Sequence, residues 1–238
     1  MNIEELKNKS IPNNKNPIYK RNLKLKDEEF VEIKPGNGIF IEMMYSKLNL
    51  DSAVEKVYLR KTVAEMLYKA RKILPKEYGL KIWDAWRPLQ LQEDLYYKYK
   101  EDIIKEFHLE NCPKEEAENK IAKYVSLPVA DKEMAPLHAT GGAIDVTLTD
   151  EFGNNLDLGV EFDEFTDRTN TIYYENDSEK NKEIVKNRRI LYHIMTSVGF
   201  TNLPSEYWHY DYGNKAWSFF TGRPILYSGK FTKNDLNF

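Results

Sequence analysis

The segment AIDVTL, residues 143–148, constrains the fold of this chain more than any other. Its aliphatic and β-branched residues spell a buried strand, yet a carboxylate, Asp145, stands between Ile144 and Val146. A strand alternates its side chains, so Ile144, Val146 and Leu148 share one face while Ala143, Asp145 and Thr147 share the other. The strand must therefore be two-faced, with a core on one side and, on the other, a charge flanked by small residues that leave room beside it. Gly141 and Gly142 permit a tight backbone entry, and His138 stands just before them. A neutral imidazole and a carboxylate joined by a turn make half of a metal site. A loop histidine, with Asp145 pairing to a basic residue, is the other reading of the same segment.

Two further segments carry chemistry. In SEYWHYDYG (205–213), Glu206 stands three residues before His209 among aromatics. A zinc hydrolase needs three protein ligands, an open position, and a carboxylate near it to take a proton from water. His209 fits the ligand and Glu206 the base. Residues i and i+3 face opposite sides of a regular strand, so Glu206 is expected on the loop that enters it. Taken alone, the pair also fits two solvated residues of a helix. In KIWDAWRP (81–88), Arg87 at a strand's end keeps its charge at any working pH and offers a planar fork of donors, which suits a developing oxyanion. By parity it shares a face with Trp83 and Ala85, and Asp84 shares one with Ile82. Its plain reading is a surface arginine stacked on Trp86 or paired with Asp84.

Elsewhere, residues 1–40 are polar and read as an arm or loops, with a short strand at Phe30–Ile33. GIFIEMMY (38–45) has strand character. Apolar residues from Leu59 to Leu74 recur at three and four, which predicts a helix over 58–74 stopped at Pro75. A strand over 78–84 follows, then a helix opened by Pro88 with Leu91, Leu95, Tyr99 and Ile103 as its stripe. Further helices are expected after Pro113 and over 179–198, the latter closed by Gly199. The aromatic density of 205–220 predicts strands.

A chain of 238 residues can form one large domain or two small ones. No repeat, low-complexity tract or linker divides this one, so a single α+β domain is expected. A net charge of −3 and a pI near 5.9 do not favour a nucleic-acid partner. No apolar stretch is long enough for a bilayer, so no membrane partner is expected. The first ten residues lack the apolar core of a signal peptide, which makes a cytoplasmic address the expectation. Cys112 is the only cysteine, so an intramolecular disulfide and a thiolate zinc cluster are both ruled out. Cys112 is expected to be inert, and His108 and His193 to lie at the surface. An oligomer is not indicated.

In order along the chain, DAWRP (84–88), HATGGAID (138–145) and EYWH (206–209) resemble the D-alanyl-D-alanine dipeptidases, the VanX-like zinc peptidases of the M15 group. These are related to the D-Ala-D-Ala carboxypeptidases and the hedgehog-type zinc fold. LGVEFDEF (158–165) and NRRILYHIMTSVGF (187–200) are similar to the family's intervening segments. The resemblance implies a mainly antiparallel sheet flanked by helices, with residues 41–238 as the dipeptidase-like domain. It implies one Zn2+ per chain held by His138, Asp145 and His209, Glu206 as catalytic base, Arg87 as transition-state arginine, and a small D-amino-acid dipeptide as substrate. Asp163, in EFDEF, is the candidate for a substrate ammonium, and Asp84 reads as structural. Two departures stand out. Pro136 replaces the family's usual serine, which touches specificity, and Trp86 replaces the more common tyrosine. The rival readings are a carboxypeptidase or peptidoglycan endopeptidase with the same chemistry, and a non-catalytic zinc- or ligand-binding module.

Overall fold

In the computed structural model, which describes residues 2–26 and 28–236, the chain opens with a short helix, α1 (Ile3–Asn8), capped by the Asn2 side chain. There follow β1 (Phe30–Ile33), β2 (Ile39–Ile41), β3 (Val57–Arg60), α2 (Lys61–Ile73), β4 (Tyr78–Asp84), α3 (Leu89–Glu106) and α4 (Lys114–Ala122). After a long loop come β5 (Ala143–Asp150), α5 (Lys182–Ser197), β6 (Thr201–Asn202), β7 (His209–Asp211) and α6 (Lys215–Thr221). A five-stranded sheet runs β2-β4-β5-β7-β6, and β1 with β3 forms a separate two-stranded ribbon. The class is mixed α+β. Within the larger sheet β2 pairs parallel to β4, while the other three pairings are antiparallel.

The two-faced strand is β5, at the middle of the sheet. Ile144, Val146 and Leu148 are fully buried, each contributing about 1.5–3 kcal/mol. They share a core with Val63 and Leu67 of α2 and Ile190 and Ile194 of α5. Asp145 projects from the opposite face into a cavity bordered by α3. The two glycines before the strand have separate reasons. Gly141 closes a turn at φ 70°, in the left-handed region. A Cβ on Gly142 would stand 2.3 Å from the Tyr212 carbonyl oxygen, so only glycine lets β5 and the chain after β7 approach there.

Several expectations change. The helix predicted from residue 58 starts at Lys61, because Val57–Arg60 is extended and pairs in register with β1, burying Val57 and Leu59. Only His209–Asp211 of the aromatic segment is strand. Its later part is α6, whose first N–H groups are accepted by the Asn214 side chain and whose end is Gly222 at φ 70°. Strict parity fails in β4, where two steps along the strand, Ile82 to Asp84, match one step on β5, Val146 to Asp145. This bulge turns Asp84 toward Asp145. His193 is not at the surface: α1 packs on α5, and His193, buried, meets the Lys9 carbonyl at 2.8 Å. Trp86 is fully buried between Phe30 and Tyr58 and donates its indole N–H to the Lys230 carbonyl at 2.8 Å. No helix among the described residues is long and apolar enough to cross a membrane.

Candidate active site and metal centre

Sheet register assembles the centre. Asp145 pairs with His209 across β5 and β7, and cross-strand partners project from the same face. His138 comes from the turn just before β5. Its Nδ1 lies 2.7 Å from the Ala85 carbonyl oxygen, which can only accept, so Nδ1 carries the hydrogen and Nε2 presents a lone pair. His209 Nε2 faces Asp211 Oδ1 at 3.0 Å, and its hydrogen belongs there for the same reason. His209 Nδ1 then meets Asp145 Oδ1 at 2.9 Å and His138 Nε2 at 3.2 Å, with His138 Nε2 3.4 Å from Asp145 Oδ2. Two imidazole lone pairs and a carboxylate thus converge, all three residues buried. Such an arrangement requires a positive charge among the donors, either a proton or a metal cation, and the N,N,O donor set suits zinc. The charges respond accordingly. Against the burial that would raise it, His138 and His209 hold the Asp145 carboxyl well below the usual range. Asp211 and Asp145 outweigh burial at His209 and raise its pKa well above that of an ordinary histidine.

Glu206 lies in the turn entering β7, half-buried, its Oε2 3.8 Å from His209 Nδ1. Burial, opposed by His209 and reinforced by Asp145 and Asp163, pushes its carboxyl up to about 7. Arg87 is fixed on several sides. Its Nε and Nη2 donate to Asp84 Oδ2 at 2.9 and 2.7 Å, Nη1 donates to Gln92 Oε1 at 2.7 Å, and Nη2 donates to the Tyr45 hydroxyl at 3.1 Å. One Nη1 hydrogen is left without a protein partner among the described residues. Burial would strip the guanidinium of its charge, but Tyr45, Asp84 and Asp145 hold its pKa above the usual value.

Asp163 is brought into the same cavity at φ 58°, an uncommon conformation for a residue with a side chain. The Tyr45 and Tyr99 hydroxyls donate to its Oδ2 at 2.8 and 3.0 Å. Burial, partly offset by the Tyr45 hydrogen bond and reinforced by the Asp145 charge, pushes Asp163 up to about 6. The cavity measures about 280 Å3 and also takes in Pro136, Gln92 and Tyr19. It is at the small end of ligand sites, which span roughly 300–1,000 Å3.

All six candidates from the sequence therefore border one cavity: His138, Asp145, His209, Glu206, Arg87 and Asp163. Asp84 lies behind it and orients Arg87. Four side chains escaped the sequence reading. Tyr99 and Gln92 sit on or beside an ordinary helical stripe, and Tyr45 in an apolar run, so nothing marked them. Asp211 carried a signal: the two-residue spacing from His209 puts both side chains on one face of a strand.

The fold and the site define a mixed α+β protein with a histidine–carboxylate centre, able to hold a metal, in the wall of a small cavity. The peptidase M15 family, described as D-Ala-D-Ala dipeptidase, matches residues 44–228, and the chain belongs to that family of hydrolases. It is 28% identical to the D-alanyl-D-alanine dipeptidase of Synechocystis sp. over 190 residues, covering 73% of this chain and 77% of the relative. It is 33% identical to the Escherichia coli dipeptidase of that name over 132 residues, 56% of this chain and 54% of the relative. With the Enterococcus faecalis dipeptidase it shares 30% over 138 residues, 56% of this chain and 61% of the relative.

Proposed function

We propose that this protein is a zinc-dependent dipeptidase that hydrolyses free D-alanyl-D-alanine to two D-alanines. The observation that carries the reading is the convergence of His138, Asp145 and His209 beside Glu206, in a cavity that also holds Arg87 and Asp163. Zinc bound by the three donors would supply Lewis acidity toward water and the scissile carbonyl. Glu206 accepts the proton of the attacking water and delivers it to the departing amine nitrogen, so that acid and base are one group used twice. Its raised pKa, near neutrality, suits a carboxylate that must both take and return a proton. Arg87, locked by Asp84, Gln92 and Tyr45, directs its remaining N–H and its charge toward the developing oxyanion. Asp163, held by two tyrosine hydroxyls, receives the substrate ammonium. That acidic end supports a free dipeptide over an N-acylated substrate, as the carboxypeptidase reading would require. The presence of Glu206 and Arg87 beside the centre supports catalysis over a binding module.

The test is D-alanine release from D-Ala-D-Ala and from N-acetyl-D-Ala-D-Ala by the zinc-loaded protein, beside Glu206→Ala. Release from the free dipeptide alone, lost in the variant, is expected. Preference for the acetylated substrate would make the protein a carboxypeptidase. No release from either, with zinc bound, would leave the binding-module reading.

A further inference from the structure

The N-terminal segment borders the cavity through Asn16, Pro17 and Tyr19 and is tied down on both sides. Upstream, Ile11 is buried and its N–H donates to Glu175 Oε1 at 3.1 Å, with Glu175 itself held by Arg189. Downstream, Ile225 N–H donates to the Asn22 carbonyl at 2.6 Å and Lys24 N–H to the Ile225 carbonyl at 2.9 Å. Arg21 pairs with Asp131 and Glu133 of the loop leading to Pro136. Between these anchors Asn16, Pro17 and Tyr19 line the cavity, Tyr19 with one side still in solvent at 38% exposure, while Ile18 is 72% exposed and points away.

The position of Tyr19 along the cavity follows from its neighbours. The Lys215 ammonium lies 4.8 Å from the Tyr19 ring centroid and donates to the Met134 carbonyl at 2.9 Å. Lys215 opens α6, four residues past Asp211, and Met134 stands two residues before Pro136, so these contacts set Tyr19 toward the side of the cavity that carries Pro136. Asp163 has a different set of neighbours, the Tyr45 and Tyr99 hydroxyls. Tyr19 also feels Asp211 and Glu206: burial first, then those two charges, raise its hydroxyl above the ordinary range.

We propose that residues 12–22 form a strap that walls off the cavity beyond the scissile bond, and that Pro17 and Tyr19 set the C-terminal length limit of the substrate. The proposal rests on the dipeptidase reading for its polarity: with the ammonium at Asp163 and the carbonyl at the metal centre, the departing residue points at the strap. A third residue on that side would run into Pro17 and Tyr19. The strap is the molecule's measure of substrate length at one end, as Asp163 is at the other.

The experiment compares the zinc-loaded wild type, Tyr19→Phe, Tyr19→Ala, and a variant with Pro17→Gly and Tyr19→Gly. Substrates are D-Ala-D-Ala, the C-terminally extended D-Ala-D-Ala-Gly, and N-acetyl-D-Ala-D-Ala. The kcat/KM ratio of extended to plain dipeptide should rise at least tenfold in the double variant and less in Tyr19→Ala, whatever happens to the plain rate. Tyr19→Phe keeps the wall and should leave the ratio at its wild-type value, while the ratio for the acetylated substrate should stay put throughout. An unchanged extended-substrate ratio, or an equal gain on the acetylated one, overturns the proposal. A wild type that cuts no dipeptide refutes the dipeptidase reading instead. The strap is then judged in Glu206→Gln by the rate at which EDTA strips zinc. The double glycine variant should lose metal several-fold faster, and an equal rate counts against the strap.

Discussion

Replacing Asp211 tests the centre through a residue that touches neither metal nor substrate. Asp211 is fully buried and accepts from His209 Nε2 at 3.0 Å and from the Asn214 side chain. Among the described residues its Oδ2 has no hydrogen-bond partner, an arrangement that costs stability and marks a carboxylate kept for something else. Its work is to fix the His209 tautomer so that Nδ1, not Nε2, offers the lone pair. A hydrogen bond to a charged acceptor is worth about 1.5–3 kcal/mol, which is about 10- to 100-fold in zinc affinity for a histidine's outer partner. Asp211→Asn keeps an oxygen able to accept from Nε2 and loses only the charge, so it belongs near tenfold. Asp211→Ala removes both and belongs near a hundredfold. It also deprives Asn214 of a partner, and Asn214 caps α6 through Ala216 and Trp217, so the alanine variant should melt earlier as well. Zinc dissociation constants are read by competition with a chromophoric chelator, with Glu206→Gln as reference for a neighbour that holds no metal. If both Asp211 variants bind zinc within threefold of wild type, the tautomer argument is wrong.

Arg87→Ala should lower kcat by about 10²–10³ with zinc affinity nearly unchanged, because an oxyanion donor is lost and no ligand; concurrent loss of zinc would mean that Arg87 is structural. Glu206→Ala should abolish turnover and still bind one zinc per chain, as checked by metal analysis of the purified variant. Since the metal-free His209 has a raised pKa, it is protonated near neutrality, and metal uptake must expel that proton. Zinc affinity should therefore increase with pH, by about tenfold per unit through the neutral range, and a flat profile would contradict the assigned protonation. Gly142→Ala should cost about 1–3 kcal/mol of stability, visible in thermal unfolding, because its Cβ would collide with backbone at Tyr212 rather than with a yielding side chain.

What could be read in the sequence was whatever regular geometry governs. Alternation along Ala143–Leu148 assigned both faces of β5, and the spacing of Glu206 from His209 placed Glu206 on the entering turn. What could not be read depends on departures from regularity or on pairings between distant segments. The bulge at Trp83 reverses the parity of Asp84, and no residue type announces it. His193 was judged from its own helix, whereas α1 covers it from 184 positions away. Tyr45 and Tyr99 looked like core aromatics because only their hydroxyls belong to the site. The segment containing Pro17 and Tyr19 is polar and aperiodic, and its place at the cavity follows from anchors at Glu175 and Ile225 that no local pattern encodes.

Because two of the three residues that could hold a metal are cross-strand partners, the candidate centre depends on sheet register. A slip of one residue between β5 and β7 would set Asp145 opposite Trp208 or Tyr210 and turn His209 to the other face. Tyr210, fully buried on the core face opposite Ile144, opposes that slip, since it would be turned onto the site face, so the core side of the pairing holds the register that the other side needs. The coupling runs both ways. A cation bound to His138, Asp145 and His209 binds only the folded register, and stabilises it by RT ln(1 + [L]/Kd), about 2.7 kcal/mol at a hundredfold excess over Kd. The carboxylate inside an apolar strand is thus no local anomaly: Asp145 ties the candidate metal centre to the same hydrogen-bonded register that buries the core.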